Sequence, residues 1–413
     1  MSLEEGQDRA DAISFRQLRL FEAIGDLKSV RRASEECSLS QPAVTQALAK
    51  MEARLGAELV DRRASGSYLN ELGEVFHARV KRFFEQTEHA VAELIPTSKA
   101  GTARAIVNRL SRSQIRALVA AIDAGSFERA AEQLDISAAS LQRAARDLEG
   151  NLHASLFYRT AAGMLVSPVG LRFGRQMKLA QQEIEWGIEE VDAARGASNR
   201  QIVIGAMPFG GSMLLASVLS EFLELHPRAD VRVINENASE MASKLRSGDV
   251  DFVIGLLPEL ETCEVVREPL AQTPYSIVVR RGHPLTRKGR VSADDLMAYD
   301  WVVGTEGSSR RACFEGLFAG RPGPKAQIAT CALPVIRHLL SGSDRLTLMT
   351  SYELQHQDDA LRAVPFGPIM PVPSIGLTMR ANWLPTRLHT DFIEIVRAYV
   401  ATPPVRALLR EAS

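Results

Sequence analysis

The run Ser29-Val30-Arg31-Arg32-Ala33-Ser34-Glu35-Glu36-Cys37-Ser38-Leu39-Ser40-Gln41-Pro42-Ala43-Val44-Thr45-Gln46-Ala47-Leu48-Ala49-Lys50-Met51-Glu52 reads as two short helices joined by a tight turn. Val30, Ala33 and Cys37 mark one apolar face. Val44, Ala47 with Leu48, Met51 and Leu55 mark another at helical spacing. Ser40 can cap the second helix, and Pro42 fits its first turn, where a missing N–H costs little. The opposite face carries Gln41, Thr45, Gln46 and Lys50, side chains able to hydrogen-bond base edges or phosphates. This is the outline of a helix-turn-helix whose second helix enters a major groove. Taken alone, the run fits an ordinary helix pair equally well.

Working outward, Met1 to Asp11 is polar and reads as a loose arm. A helix follows from Phe15, with Leu18, Phe21 and Ile24 on one side. After the central pair, residues 59–69 read as strand, Gly/Ser turn and strand, a small wing with Arg62 and Arg63 at its base, where a phosphate backbone would pass. A long helix is expected over about 71–95, with Phe76, Val80, Phe83, Thr87, Val91 and Leu94 as its seam. Residues 96–102 break the pattern and read as a linker.

Shifting the chain by 97 positions then superposes it on itself without a gap. Gln17 meets Gln114, Ser29 meets Ser126, Ser40 meets Ser137 and Glu52 meets Glu149. Arg62 meets Arg159, Gly66 meets Gly163 and Gly73 meets Gly170; about 19 of 65 aligned positions are identical. The second long helix repeats the seam as Phe173, Met177, Ala180, Ile184, Ile188 and Val191. Such a seam reads as a dimer contact between chains. The alternative is a helix packed along its own domain. In the second copy Ser40-Gln41-Pro42-Ala43 becomes Ser137-Ala138-Ala139-Ser140, and the groove-facing set becomes Ser140, Gln142, Arg143 and Arg146. With Ser137 and Arg159, these form a candidate second DNA contact. Residues 101–180 hold 11 basic and 6 acidic side chains. Arg104, Arg109, Arg112 and Arg116 before the repeat, and Arg172, Arg175 and Lys178 after it, are candidates for gripping phosphates or for solvated helix faces.

From Gln201 strands and helices alternate. Residues 202–206, 231–234 and 250–254 are expected strands separated by helices, a β-α-β-α-β pattern that signals a parallel sheet. A second set follows, with strands at 275–279, 301–303, 327–330 and 346–349, a late strand at 374–379 and a closing helix at 386–399. Two such lobes suggest a cleft with helix starts suited to a small anion.

At 413 residues, 46% hydrophobic and 24% charged, with a net charge of -1, the chain reads as a soluble protein of several domains. It shows no signal peptide and no membrane-length apolar run. Cys37, Cys263, Cys313 and Cys331 show no CxxC pair or metal-ligand spacing, which suggests reduced thiols in the cytoplasm. No GxSxG, HExxH, Walker A or GxGxxG motif is present, so no enzyme, cofactor or metal is expected. His226 and His283 precede prolines and are expected in surface turns. Residues 304–309 fit either a backbone nest for a carboxylate or a plain strand-to-helix turn.

Residues Ser29, Ala33, Leu39–Thr45, Glu52, Leu55, Gly56, Leu59, Arg62 and Gly73 resemble the DNA-binding domain of LysR-type transcriptional regulators. Leu245–Gly255, and Tyr275–Val279 followed by His283-Pro284-Leu285, resemble that family's effector lobes. The resemblance implies an α/β chain: two winged helix-turn-helix units with long linker helices (12–95 and 109–197), then a two-lobed effector domain like periplasmic binding proteins (200–413). Lobe 1 would hold about 200–260 and 368–413, lobe 2 about 261–367. It implies a ligand-responsive regulator that binds double-stranded DNA through Arg31, Ser40, Gln41, Pro42, Ala43, Thr45, Gln46, Lys50, Arg62 and Arg63. An unknown small-molecule effector would sit at Phe209, Gly210, Ser212, Ser308, Ser309 and Thr330. Phe209 stands where the family often has a small hydroxyl residue. A cytoplasmic homodimer or homotetramer is expected, away from membranes, touching RNA polymerase if it activates. The rival reading is a small-molecule sensor whose helical units serve assembly. The family usually has one DNA-binding unit; the extra copy is the departure.

Overall fold

Helices in the N-terminal half begin where a hydroxyl or amide side chain takes up a backbone N–H that the first turn leaves unpaired. Ser14, Ser29, Ser40 and Asn70 do this for the first copy. Ser111, Ser126, Ser137 and Ser167 do it 97 residues later. The structure is a computed structural model. It describes residues 9–63, 66–95, 100–160, 163–196, 200–207, 211–257, 264–355, 360–402 and 410–411. Two compact units result, Met1–Arg200 and Gln201–Ser413.

In the first unit, copy 1 consists of α1 (Phe15–Leu27), α2 (Val30–Glu36), α3 (Gln41–Leu55), a wing of β1 (Val60–Arg63) and β2 (Gly66–Leu69), and the linker helix α4 (Glu71–Leu94). A connecting helix α5 (Ala100–Val107) leads to copy 2. That copy is α6 (Arg112–Ala124), α7 (Phe127–Gln133), α8 (Ala138–Leu152), β3 (Phe157–Thr160), β4 (Gly163–Val166) and α9 (Pro168–Ala194). Both wings are antiparallel two-stranded ribbons.

The repeated residues have repeated jobs. The Glu52 carboxylate accepts from the backbone N–H of Leu59 (2.8 Å) and Val60 (3.3 Å), tying α3 to its wing. Glu149 accepts from Leu156 (2.7 Å) and Phe157 (3.0 Å) in the same way. Gly73 and Gly170 lie so close to the carbonyl oxygens of Leu59 and Leu156 that a Cβ would collide with them. Lys81 meets Asp26, and Lys178 meets Asp123, each at 3.4 Å.

The linker helices pack antiparallel on each other within the one chain. Phe76, Val80, Phe83 and Val91 join Phe173, Met177, Ala180, Ile184, Ile188 and Val191 in one continuous core. The long seam therefore meets the other copy, not a second chain. Nor is the arm loose from Arg9 onward. Arg9 donates to the carbonyls of Arg54 and Leu55 and pairs with Asp192 at 2.6 Å. Three of the arginines that could grip phosphates or line solvated helix faces have acidic partners within the unit. Arg112 is buried, donating to the Ile13 carbonyl (2.8 Å) and pairing with Asp11 (3.1 Å). Arg116 also faces Asp11, and Arg104 lies 3.8 Å from Glu36.

The second unit starts with β5 (Arg200–Ala206), α10 (Gly211–Leu225), β6 (Ala229–Asn235), α11 (Ala238–Ser247), β7 (Phe252–Leu256) and β8 (Val265–Gln272). Its other sheet carries β9 (Tyr275–Arg280), then α12 (Ala293–Met297), β10 (Val302–Val303), α13 (Ser309–Leu317), β11 (Ile328–Ala329), α14 (Leu333–Ser341), β12 (Thr347–Thr350), α15 (Ser351–Gln355) and β13 (Leu361–Ala363). The chain returns through β14 (Ser374–Arg380), α16 (Arg387–Ala401) and β15 (Arg410–Glu411). Among the described residues the first sheet runs β15-β8-β14-β7-β5-β6, with β5 parallel to β7 and β14 antiparallel to both its neighbours. The second holds β12-β9-β13, joined to the parallel pair β10-β11 by a bridge from Trp301 to Leu346.

Strand β8 belongs to the first sheet, so the crossing between sheets comes at Thr273, later than the lobe boundary near 261 read from the sequence. The two crossing segments touch, Thr273 N–H donating to the Pro373 carbonyl at 2.9 Å. His283 is also not at the surface. It is fully buried, its Nδ1 accepting from Leu285 N–H and its Nε2 3.2 Å from the Asp344 carbonyl oxygen. Burial pushes its pKa down.

Candidate functional site

Helix α3 presents two unlike faces because its apolar positions are locked into the core. Val44, Leu48, Met51 and Leu55 are buried. Gln41, Pro42, Gln46 and Lys50 are exposed, and Ala43 and Thr45 are half-buried beside them. Ser40 caps the helix, accepting from Ala43 N–H at 3.4 Å. Arg31 is exposed on α2, with Glu35 3.9 Å away. On the wing Arg62 and Arg63 are exposed; Arg63 lies 3.2 Å from Asp61 and over the Tyr68 ring at 5.6 Å. The outward side chains of α3 are thus polar, and the wing beside it in the chain exposes two arginines.

Copy 2 builds the same face from other residues. Leu141, Ala145, Leu148 and Leu152 are buried. Ser140, Arg143 and Arg146 are exposed, Gln142 is half-buried, and Arg159 is exposed on the wing. Ser137 caps α8, accepting from Ser140 N–H at 3.1 Å.

Between the copies lies a buried ionic cluster that periodicity alone did not reveal. Arg79 on α4 is 1% exposed and Glu183 on α9 is 2% exposed, and they meet at 2.9 Å. Arg79 also reaches Glu190 at 2.9 Å, and Arg82 reaches Glu183 at 3.0 Å. Gln86 donates to Glu183 at 2.9 Å, and Gln176 donates to Glu93 at 2.6 Å. Burial opposes the charge on Arg79, but Glu190 and Glu183 outweigh it and raise its pKa. The only signal in the sequence is an arginine inside the 3.6-residue apolar stripe.

In the second unit, Ser308, Ser309 and Thr330 follow two neighbouring strands. Ser308 and Ser309 follow β10, and Thr330 follows its parallel neighbour β11, so all three lie beyond adjacent carboxyl ends of strands. Thr330 N–H donates to the Val303 carbonyl at 2.8 Å. Residues 304–309 form a strand-to-helix turn, with Ser308 capping α13. Ser309 Oγ lies 3.0 Å from the hydroxyl of Tyr275, whose pKa burial pushes up. Next in the chain, Arg310 is 4% exposed and pairs with Glu353 at 2.6 Å, while its Nε and Nη1 have no hydrogen-bond partner among the described residues. Phe209 and Gly210 lie outside the described residues, as does the side chain of Ser212.

Residues 195–401 match the LysR substrate binding domain, and residues 15–74 and 113–171 each match the bacterial regulatory helix-turn-helix of the lysR family. The chain belongs to the LysR family of transcriptional regulators. It is 28% identical over 390 residues to the HTH-type transcriptional regulator GalR of Pseudomonas putida, across 93% of this chain and 96% of that protein. It is 26% identical over 244 residues to GbpR of Azospirillum brasilense, across 58% of this chain and 71% of that protein. A full-length OxyR variant of Pseudomonas aeruginosa has a similar fold, with a TM-score of 0.54 and 19% identity over 73% of this chain and 98% of that one. This LysR-type regulator is thus a DNA-binding transcriptional regulator with an effector-binding domain, not an enzyme. Among its described residues no helix is long and apolar enough to cross a membrane.

Proposed function

We propose that this LysR-type regulator reads its operator through Gln41, Thr45 and Gln46 of α3, with Ser40, Pro42 and Ala43 close to the bases. Arg31, Lys50, Arg62 and Arg63 rest on phosphates. The observation that carries the reading is the polar outer face of α3, fixed in direction by buried Val44, Leu48, Met51 and Leu55. The domains would be 12–95, 109–197 and 200–413. The effector would bind at Ser308, Ser309 and Thr330, with Phe209, Gly210 and Ser212 from the facing lobe. The unused donors of buried Arg310 favour an effector carrying an oxyanion. The regulator would act in the cytoplasm as a homodimer or homotetramer, and touch RNA polymerase where it activates. Footprinting with the full chain tests this. Gln41→Ala should weaken specific binding by roughly 1–3 kcal/mol. An unchanged footprint and affinity would remove α3 from the role of reader.

A further inference from the structure

The linker-helix pair is built for one copy of each kind. We propose that a single chain carries a complete two-headed DNA reader, in which α3 and α8, held by the internal α4–α9 pair, take two unlike half-sites of one asymmetric operator. This rests on the reading of α3 as a DNA reader.

The first support is symmetry. Residues 97 apart are equivalent, and Gln86 and Glu183 are 97 apart and bond directly. Arg79 contacts Glu190, and their equivalents Gln176 and Glu93 contact each other. Exchanging the copies maps one pair onto the other, which is a two-fold relation with its axis at Gln86 and Glu183. Helix-turn-helix proteins meet two half-sites through two-fold related units. Here both units belong to one chain.

The second support is complementarity. Copy 1 carries Arg79, Arg82 and Gln86 where copy 2 carries Gln176, Leu179 and Glu183. Two α9 helices pairing between chains would set Glu183 against Glu183 on the axis, with no arginine beside them. Two α4 helices would leave Arg79 with Glu93 alone, the equivalent of Glu190, and would set Gln86 in place of Glu183 beside Arg79 and Arg82. A buried charge without its partner is strongly unfavourable, so the α9–α9 pairing is selected against and the α4–α4 pairing loses the carboxylate that Arg79 and Arg82 share. Shape agrees. Gly187 packs where a Cβ would lie 2.8 Å from the Phe76 ring and 3.1 Å from Arg79 Cβ. Copy 1 has Ala90 at that position, so an α4–α4 pair would meet the clash that α9 avoids.

The reading faces then differ in chemistry. Gln41 and Gln46 have the amides that pair with adenine, whereas Arg143 and Arg146 have the fork that pairs with N7 and O6 of guanine. The half-site under α3 is expected to carry A·T pairs at its contacted positions, and that under α8 to carry guanines.

The experiment is selection from a library of random duplexes with the full chain, followed by titration of the enriched duplex. The expected site has two unlike halves whose centres lie about one helical turn, or a multiple, apart. Saturation should take one short duplex per chain, whatever the oligomer. Gln41→Ala should relax only the first half, and Arg143→Ala only the second, each with roughly tenfold or greater loss of affinity. A palindromic site bound at one duplex per two chains, or an Arg143→Ala variant with unaltered preference, would overturn the proposal while leaving α3 as a reader. Enrichment of no site at all would overturn both.

Discussion

Gln86 and Glu183, equivalent residues of the two copies, hydrogen-bond to each other across the internal axis, Gln86 Nε2 donating to Glu183 Oε1 at 2.9 Å. The contact closes a seam between two linker helices of one chain. It also joins Arg79 and Arg82 to the same carboxylate. Copy 1 supplies the cations and copy 2 the anions, so the duplication has become a division of labour.

Glu183→Ala should destabilise the first unit by about 3–5 kcal/mol, because it removes the buried carboxylate that Arg79 and Arg82 share and leaves Arg79 with Glu190 alone. Glu183→Gln keeps an acceptor on the axis and should cost less. Trp186 lies beside Arg79, its ring 5.5 Å from the guanidinium carbon. The other two tryptophans, Trp301 and Trp383, are in the second unit. With those two changed to Phe, denaturant unfolding followed by Trp186 fluorescence reads the first unit of the full chain.

Arg62→Ala should weaken binding to all duplexes alike and lower the slope of log K against log salt by about one. Arg112→Ala should leave that slope unchanged, since Arg112 is engaged with Asp11 and the Ile13 carbonyl. Binding isotherms at several salt concentrations separate the two. Equal slopes for Arg62→Ala and the parent chain would remove the wing from the phosphate.

Gly73→Ala should cost about 1–3 kcal/mol, because its Cβ would meet the Leu59 carbonyl and push the linker helix from the wing. Gly170→Ala should do the same in copy 2. By contrast Gly150→Ala, on α8 with open space around it, should be neutral or slightly stabilising. Thermal unfolding of the three variants checks the order.

Glu22 titrates about 7, raised chiefly by burial and further by Asp26, against the pull of Arg104 and Arg19. A raised carboxylate favours the folded state in its neutral form. Its contribution is full below the unfolded pKa of 4.5 and is lost as pH rises through 7. Glu22→Gln should therefore match the parent near the acid end and exceed it by ~1–2 kcal/mol above the folded pKa, a figure discounted for the partial solvent access of the side chain. Urea midpoints across that pH range test it. A gap that shrinks as pH rises would reverse the sign.

Much of the first unit was legible because its determinants are local. Ser14, Ser29 and Ser40, with Ser111, Ser126 and Ser137, state where helices start, and the alternation of buried and exposed residues in α3 states which face is outward. The lobes were legible for the same reason, although β8 was placed in the wrong one. Its partner β14 lies about a hundred residues later, and nothing in Val265–Gln272 names that partner. His283 looked like a surface turn because His-Pro is a turn signal; the Asp344 carbonyl that holds it is 61 residues away. The arginines before copy 2 could be read as phosphate ligands or as solvated helix faces. A count of charge by segment cannot distinguish Arg112 facing DNA from Arg112 facing Asp11.

The sequence by itself determined that there are two winged units, where their helices are capped, which face of α3 and α8 is polar, and that two α/β lobes follow. Those features rest on spacing and on bonds spanning a few residues. Only the tertiary structure decided what the long seams meet. Apolar stripes attract without direction, and Phe76 or Phe173 would pack as readily on a second chain as on its own. The choice is made by Arg79, Arg82, Glu183 and Glu190, charges about a hundred residues apart that acquire meaning when one buried site must be neutral.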